Sequence, residues 1–273
     1  MNNIWKFVIL IIGSYLIGNI NFARIFARTR KDDITTHGSG NPGTMNMLRT
    51  HGVWLAVATL VFDALKSVVS CLIGYFWLKA TADAYTANLA IYICGLACIL
   101  GHNYPVIFKF KGGKGVATGF GLVCVARPIL IPVVLGVFFI VFLIWKVASL
   151  SSLSAVFTFL ISESIFLLIK GYYASFIVLV LCVSFIFYAH RKNIKKFFEK
   201  KESKIDLKEA VQKDKDYAKK QKEKRALKKQ ERLEKKSKKT KELNESKVET
   251  TEETVEVETM TNNEESSNLE ESE

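Results

Sequence analysis

The chain contains no Cys-x-x-Cys pair, and its five cysteines are an odd number. Cys71, Cys94, Cys98, Cys124 and Cys182 all fall inside apolar stretches. Cys94 and Cys98 would share a helix face, and no metal site is expected around them. They read as small apolar packing residues, and neither a metal site nor a cofactor is expected. A Walker A motif is absent as well. In Gly112-Gly113-Lys114-Gly115 the lysine is followed by glycine instead of Ser or Thr, and the required upstream glycine is missing. Nucleotide hydrolysis by that route is therefore disfavoured. Charge is scarce up to Tyr188, and long apolar runs are scarce beyond His190. The average of 49% hydrophobic residues conceals two unlike pieces.

The first piece is too apolar for an ordinary soluble domain. Runs of roughly 18 or more apolar residues cross the hydrocarbon core of a bilayer as helices. Candidate spans are Ile4–Arg24, Val53–Leu78, Thr86–Leu100, Val116–Ala126, Ile129–Trp145, Leu153–Ile169 and Tyr172–Tyr188. The fourth is short and ends at Arg127-Pro128, which suggests tilt or partial re-entry. The first has only Lys6 ahead of its apolar run and no small-residue cleavage site, so it reads as a retained span and not a signal peptide. The expected fold is all-α, a polytopic membrane protein of about seven transmembrane helices.

Basic residues set the orientation. Arg24, Arg28, Arg30, Lys31 and Arg49 lie between the first two spans, and Lys109, Lys111 and Lys114 between the third and fourth. The opposite ends carry only Lys6, Lys79, Arg127 and Lys170. Short basic loops face the cytoplasm, which places the N-terminus outside and the C-terminus inside. Three segments follow: 1–205 as the membrane-embedded domain, 206–241 as a basic, helix-compatible cytoplasmic segment, and 242–273 as an acidic tail expected to be disordered. The basic segment can hold anionic lipid by charge. Nucleic acid is a poor fit, because no aromatic residues interleave the lysines.

Within the second span, Asp63 and Lys66 stand three apart on one helix face. They should pair and face the bundle interior, either as a structural ion pair or as support beneath a site. Three polar stretches interrupt the apolar chain: His37 to Arg49, Gly101 to Thr118, and His190 to Lys196. The charge-derived topology brings all three to the cytoplasmic face, as parts of one composite site. Their glycines let backbone N–H groups approach an anion, and Arg and Lys add charge. Gly112-Gly113-Lys114-Gly115 also precedes an apolar helix, whose N-terminus favours anions. Phosphate at the membrane surface is the implied ligand. None of His37, His51, His102 or His190 has an Asp five residues on, so a His–Asp general base is lacking.

These stretches resemble the three signature motifs of the acyl-phosphate-dependent glycerol-3-phosphate acyltransferases. Ser39 to Arg49 meets Ser-Gly-Asn-x-Gly-x-Thr-Asn-x-x-Arg except at Met45. Gly101 to Thr118 meets Gly-His-x-x-Pro followed by Lys-Gly-Gly-Lys-Gly-x-Ala-Thr in full. His190 to Lys195 meets His-Arg-x-Asn-Ile-Lys, and Glu202 fits the glutamate further on, although Lys200 and Ser67 replace usual glycines. The resemblance covers residues 1 to about 205 and implies a multi-pass enzyme of the bacterial plasma membrane with a cytoplasmic active site. It implies transfer of a fatty acyl group from acyl phosphate to the 1-position hydroxyl of glycerol 3-phosphate, giving lysophosphatidic acid and phosphate without a cofactor.

By the same resemblance, Ser39, Arg49 and Lys114 hold phosphate groups, with Lys111, Gly112 and Gly113 shaping the pocket. His190 and Asn193 orient substrate, and Asn46, His102 and Ser149 line the site. The hydroxyl proton goes to a substrate phosphate, with His190 as the competing base. Asn46 and His102 could instead structure the loops, and Ser149 could be helix packing. Besides glycerol 3-phosphate, acyl phosphate and membrane lipid, the enzyme that makes acyl phosphate is an expected functional partner. Two rival readings remain at this level: a transporter of a phosphorylated metabolite, and a scaffold without chemistry. Transporters usually place ionisable residues near the midplane of repeated halves, and no repeat is found here.

Overall fold

The computed structural model describes residues 3–235. Part of the basic segment, from 236 on, and the whole acidic tail 242–273 lie outside the described residues. The chain divides into two units, Met1–Lys215 and Asp216–Glu273. In the second, residues 216–235 are helical, Lys-rich and mostly exposed. The first unit carries everything that follows.

Its order is α1 (Ile4–Asn19), α2 (Phe22–Thr29), α3 (Thr44–His51), α4 (Val53–Lys79), α5 (Ala84–Asn103), α6 (Val116–Ala126), α7 (Ile131–Trp145), α8 (Ala148–Ile169), α9 (Tyr173–Ala189) and α10 (Arg191–Phe198), with single 3-10 turns at Val106–Phe108 and Pro128–Leu130. Residues 207–215 are helical again. Side-chain caps explain several starts. Asn21 accepts from the Arg24 N–H at 2.9 Å to open α2, and Asp83 accepts from the Thr86 N–H at 2.7 Å to open α5. Arg127 closes α6 and Pro128 begins the turn that redirects the chain into α7.

Among the described residues, five helical stretches are long and apolar enough to cross a membrane: Ile4–Thr29, Val53–Lys79, Ala84–Phe108, Pro128–Trp145 and Ala148–Ile169. The pair Tyr173–Ala189 and Arg191–Phe198, bent by 55°, makes a sixth if taken as one span. The helix α6 has the bounds expected from sequence, yet its 11 residues reach only about 16 Å. It packs against α4, α5 and α8 and is shorter than the ~20 residues that cross a core of ordinary thickness.

The packing is inverted relative to a water-soluble domain. Large apolar side chains such as Trp54, Ile129, Leu143 and Ile169 point outward, while Asp63, Lys66, Glu163 and Asn19 are buried. That distribution suits lipid outside and polar groups turned inward. Helix α5 is the hub, touching α1, α4, α6 and α9. Its contact with α1 is close enough that a Cβ on Gly18 would strike the Cys98 backbone, and one on Gly101 the Tyr15 backbone. Small residues here let the two helices meet backbone to backbone.

Two polar knots pin the bundle. Lys66 Nζ donates to Asp63 Oδ1 at 2.8 Å and to the carbonyls of Gly18 at 3.1 Å and Ile20 at 2.6 Å, where α1 ends. Glu163 of α8 accepts from the Tyr92 hydroxyl of α5 at 2.6 Å and from Arg127 Nε at 3.0 Å. Each knot pairs an ionisable group that lipid would not tolerate alone.

Candidate functional site

A cavity of about 300 Å³ opens where the three polar stretches meet. One end is lined by Ser39, Asn41, Thr44, Asn46, Arg49, His102, Lys114, Ser149, His190, Asn193 and Glu202. The other runs between apolar walls that include Phe120, Val134, Phe138, Phe159, Leu179 and Ile186. The site is therefore amphipathic, with a polar mouth that sets Arg49 and Lys114 beside Glu202 and an apolar channel within the helices.

The first stretch forms a tight loop ahead of α3. Gly38 and Gly40 both take left-handed conformations, at φ 58° and 68°, which glycine adopts without strain. Asn46 holds this loop together. Its Oδ1 accepts from the Ser39 N–H at 2.8 Å, and its Nδ2 donates to the carbonyls of Ile34 and His37, each at 3.0 Å. Both amide hydrogens are thus used on backbone, so Asn46 lines the cavity as the organiser of the Ser39 loop.

Arg49 sits in the last turn of α3. One guanidinium nitrogen, Nη2, donates to the Ser203 carbonyl at 3.0 Å, while its buried Nε has no hydrogen-bond partner among the described residues. The buried Thr44 hydroxyl is likewise without one. Unused buried donors at the wall of a cavity mark where a ligand would supply acceptors.

Lys114 donates to the Asn193 side-chain carbonyl, and the Asn193 amide donates to Glu202 Oε1 at 2.6 Å. The Ser149 hydroxyl donates to the same oxygen at 3.2 Å. A single hydrogen-bonded chain thus joins the second stretch, the third stretch and α8. Burial pushes the Lys114 ammonium down to about 8, with Arg49 and Lys196 adding to the fall and Glu202 opposing it. The ring of His190 approaches the Ile186 carbonyl through Nδ1 at 2.8 Å. A proton on Nδ1 makes that bond and leaves Nε2 as an acceptor.

The remaining expected residues hold the frame. His102 Nδ1 lies 2.9 Å from Lys66 Nζ, linking the cavity wall to the buried pair with Asp63. Asp63, paired with Lys66, is itself part of the cavity lining. Lys111, Gly112 and Gly113 do not line the cavity. Gly112 N–H donates to the Asn103 carbonyl at 3.2 Å, Gly113 packs where any side chain would strike the His102 ring, and the Lys111 carbonyl accepts from Arg24 at 3.0 Å. Only Lys114 and Gly115 of that loop reach the cavity. Glu202 fits the third motif without an expected role, and here it accepts from both Asn193 and Ser149. The apolar walls carried no distinguishing signal, because every long helix of this chain is rich in Leu, Ile, Val and Phe. No group of His, Cys, Asp and Glu able to hold a metal occurs among the described residues.

The glycerol-3-phosphate acyltransferase family model matches residues 8–200. A glycerol-3-phosphate acyltransferase of Finegoldia magna is 36% identical over 199 residues, covering 72% of this chain and 96% of the relative. One from Alkaliphilus metalliredigens is 38% identical over 208 residues, covering 75% and 98%. Among solved structures, PlsY (YgiH), an integral membrane glycerol 3-phosphate acyltransferase, in its glycerol 3-phosphate form, aligns with a TM-score of 0.65 at 33% identity. That alignment covers 76% of this chain and 98% of PlsY. The lysophosphatidic acid form of PlsY aligns with a TM-score of 0.62 over the same shares.

Proposed function

The chain belongs to the glycerol-3-phosphate acyltransferase family, and we propose that it takes its acyl group from acyl phosphate and transfers it to the 1-position hydroxyl of glycerol 3-phosphate. It is a membrane acyltransferase of phospholipid synthesis. The observation that carries the finer reading is the amphipathic cavity, whose polar mouth with Arg49 and Lys114 and whose apolar channel match a phosphate joined to a fatty chain. Both the donor and the product, lysophosphatidic acid, have that form.

In the reaction, the acceptor hydroxyl oxygen attacks the acyl carbonyl carbon, and the bond from that carbon to the phosphate oxygen breaks. The hydroxyl proton leaves with substrate phosphate, and inorganic phosphate is released. An acyl phosphate is a mixed anhydride with a good leaving group, so positioning and charge stabilisation can supply most of the acceleration. Arg49, Lys114 and the Ser39 loop bind phosphate oxygens, with the Thr44 hydroxyl as a further donor. His190 and Asn193 orient the acceptor. Asn46, His102 and Ser149 keep these groups in place, and the Lys111–Gly113 turn holds Lys114 at the cavity.

The basic loops favour a cytoplasmic mouth, with the N-terminus outside and α6 counted as a short seventh membrane segment. On this reading residues 1–205 form the catalytic domain of a bacterial plasma-membrane enzyme, 206–241 a basic cytoplasmic segment and 242–273 an acidic extension. The donor must come from an enzyme that places phosphate on a fatty acyl group, and the two activities are functionally coupled. The test is product formation by purified protein in detergent with glycerol 3-phosphate and, in parallel, palmitoyl phosphate, palmitoyl-CoA and palmitoyl-acyl carrier protein. Lysophosphatidic acid should form from palmitoyl phosphate only. Formation from a thioester donor instead would overturn the donor assignment.

A pH dependence follows from Lys114. The ammonium is charged below about 8 and neutral above it, and only the cation attracts phosphate. The second ionisation of a phosphate monoester lies near ~6, so the substrate does not titrate between pH 7 and 9. The KM for glycerol 3-phosphate should therefore stay level to about pH 8 and then rise, approaching roughly tenfold per pH unit. Initial rates from pH 6.5 to 9.5 check this. A KM that is flat across the range would contradict a Lys114 ammonium that holds phosphate and loses its proton near 8.

A further inference from the structure

The family model ends at residue 200, yet the compact unit continues to Lys215. What the extra residues do is specific. Ile205 and Ala210 are buried in a cluster with Met47, Leu48 and Ala56, so the segment packs directly on α3 and the start of α4. The Ile205 N–H donates to the Lys146 carbonyl at 3.0 Å, fixing where the segment begins. Two consecutive residues at its far end then reach the junction of the two helices.

Lys213 Nζ donates to the backbone carbonyl of Arg49, in the last turn of α3. Asp214 Oδ2 accepts from the Val53 N–H at 2.7 Å and the Trp54 N–H at 3.3 Å, in the first turn of α4. Helix ends leave carbonyls unpaired at the C-terminus and N–H groups unpaired at the N-terminus, with partial charges to match. A cation therefore caps the first helix and an anion the second, both supplied from about 160 residues downstream. Gly52, between the helices, is shaped to this arrangement. It takes φ 94°, and a Cβ there would fall 2.6 Å from the Asp214 carboxyl carbon. Arg30 completes the junction, lying 3.9 Å from Asp214 and donating to the His51 carbonyl at 2.6 Å.

Arg49 is thereby held from both sides by one segment. Its side chain donates to the Ser203 carbonyl and its main-chain carbonyl accepts from Lys213. We infer that residues 203–214 are a strap that positions Arg49 for the phosphate of glycerol 3-phosphate, with Lys213 and Asp214 as positioning residues that do not touch substrate. This rests on the proposed role of Arg49. A guanidinium aimed through the last turn of a short helix shifts whenever that turn loosens. Misplacement by about 1 Å can cost on the order of 100-fold, so partial loosening should cost less.

The test uses the full chain carrying Asp214→Ala, Lys213→Ala, Arg49→Ala, and Arg49→Ala combined with Asp214→Ala. Asp214→Ala and Lys213→Ala should each raise the KM for glycerol 3-phosphate by roughly five- to tenfold, with kcat within about twofold and the donor KM unchanged. Lys213→Arg should restore the wild-type KM. In the Arg49→Ala background, Asp214→Ala should add no further rise. If Arg49→Ala raises KM but Asp214→Ala and Lys213→Ala do not, or if the Asp214→Ala effect persists undiminished without Arg49, the strap is wrong and the phosphate site stands. An Arg49→Ala protein with unchanged KM would remove the phosphate role itself, and the strap's function with it. Should Asp214→Ala not be recovered folded, Lys213→Ala and Lys213→Arg decide the question alone.

Discussion

Arg49→Ala should lower kcat/KM for glycerol 3-phosphate by about 100-fold or more, the largest effect expected of any single change at the cavity. A guanidinium facing phosphate makes two parallel charge-assisted hydrogen bonds, each worth roughly 1.5–3 kcal/mol. At about 1.4 kcal/mol per factor of ten, losing both gives that magnitude. The buried Nε of Arg49 has no hydrogen-bond partner among the described residues, so ligand binding would use a donor that folding leaves free. Lysine at this position should recover only part of the loss, because a point charge cannot form the planar fork. Ser39→Ala should cost less, about tenfold, since the loop keeps its shape through Asn46. Steady-state rates with each substrate varied check both, and an Arg49→Ala enzyme within twofold of wild type would exclude Arg49 from the site.

Lys66→Met should be the most destabilising substitution in the bundle. It leaves Asp63 as a buried charge without its partner and takes donors from the carbonyls of Gly18 and Ile20 where α1 stops. Breaking one side of such a pair typically costs about 3–5 kcal/mol. In detergent this corresponds to a fall in apparent Tm on the order of 10 °C, read by thermal unfolding followed through size exclusion. Changing Asp63 as well, to leucine, should restore part of the loss, because two apolar groups then replace two charges. A Lys66→Met protein with wild-type Tm would show that the pair contributes nothing to the fold. Activity should fall with stability, because Lys66 also contacts His102 at the cavity wall.

Much of this was legible in the sequence, for a physical reason. In a chain whose long helices must be apolar, contiguous polar stretches are costly unless used, and the three that occur surround one cavity. Charge placement and the break at Arg127-Pro128 located α6 to the residue. Side-chain direction is what a sequence does not carry. Lys111, Gly112 and Gly113 share a motif with Lys114, yet only Lys114 reaches the cavity, because the glycines are used in packing against His102 and Asn103. Asn46 is equally polar in any reading, and only its three backbone bonds identify it as a loop organiser. The caps supplied by Lys213 and Asp214 had no local signal at all. In a segment dense with Lys, Glu and Asp, nothing distinguishes a pair that folds back onto helix ends so distant in sequence.

The most direct test of the account is the stoichiometry of the reaction. Purified protein in detergent would receive palmitoyl phosphate and labelled glycerol 3-phosphate, with inorganic phosphate and lysophosphatidic acid counted together. One phosphate released for each lysophosphatidic acid formed, with both lost in Arg49→Ala, is the expected result. Phosphate released without acylated product, or no product from folded protein, would contradict acyl transfer from acyl phosphate at this site.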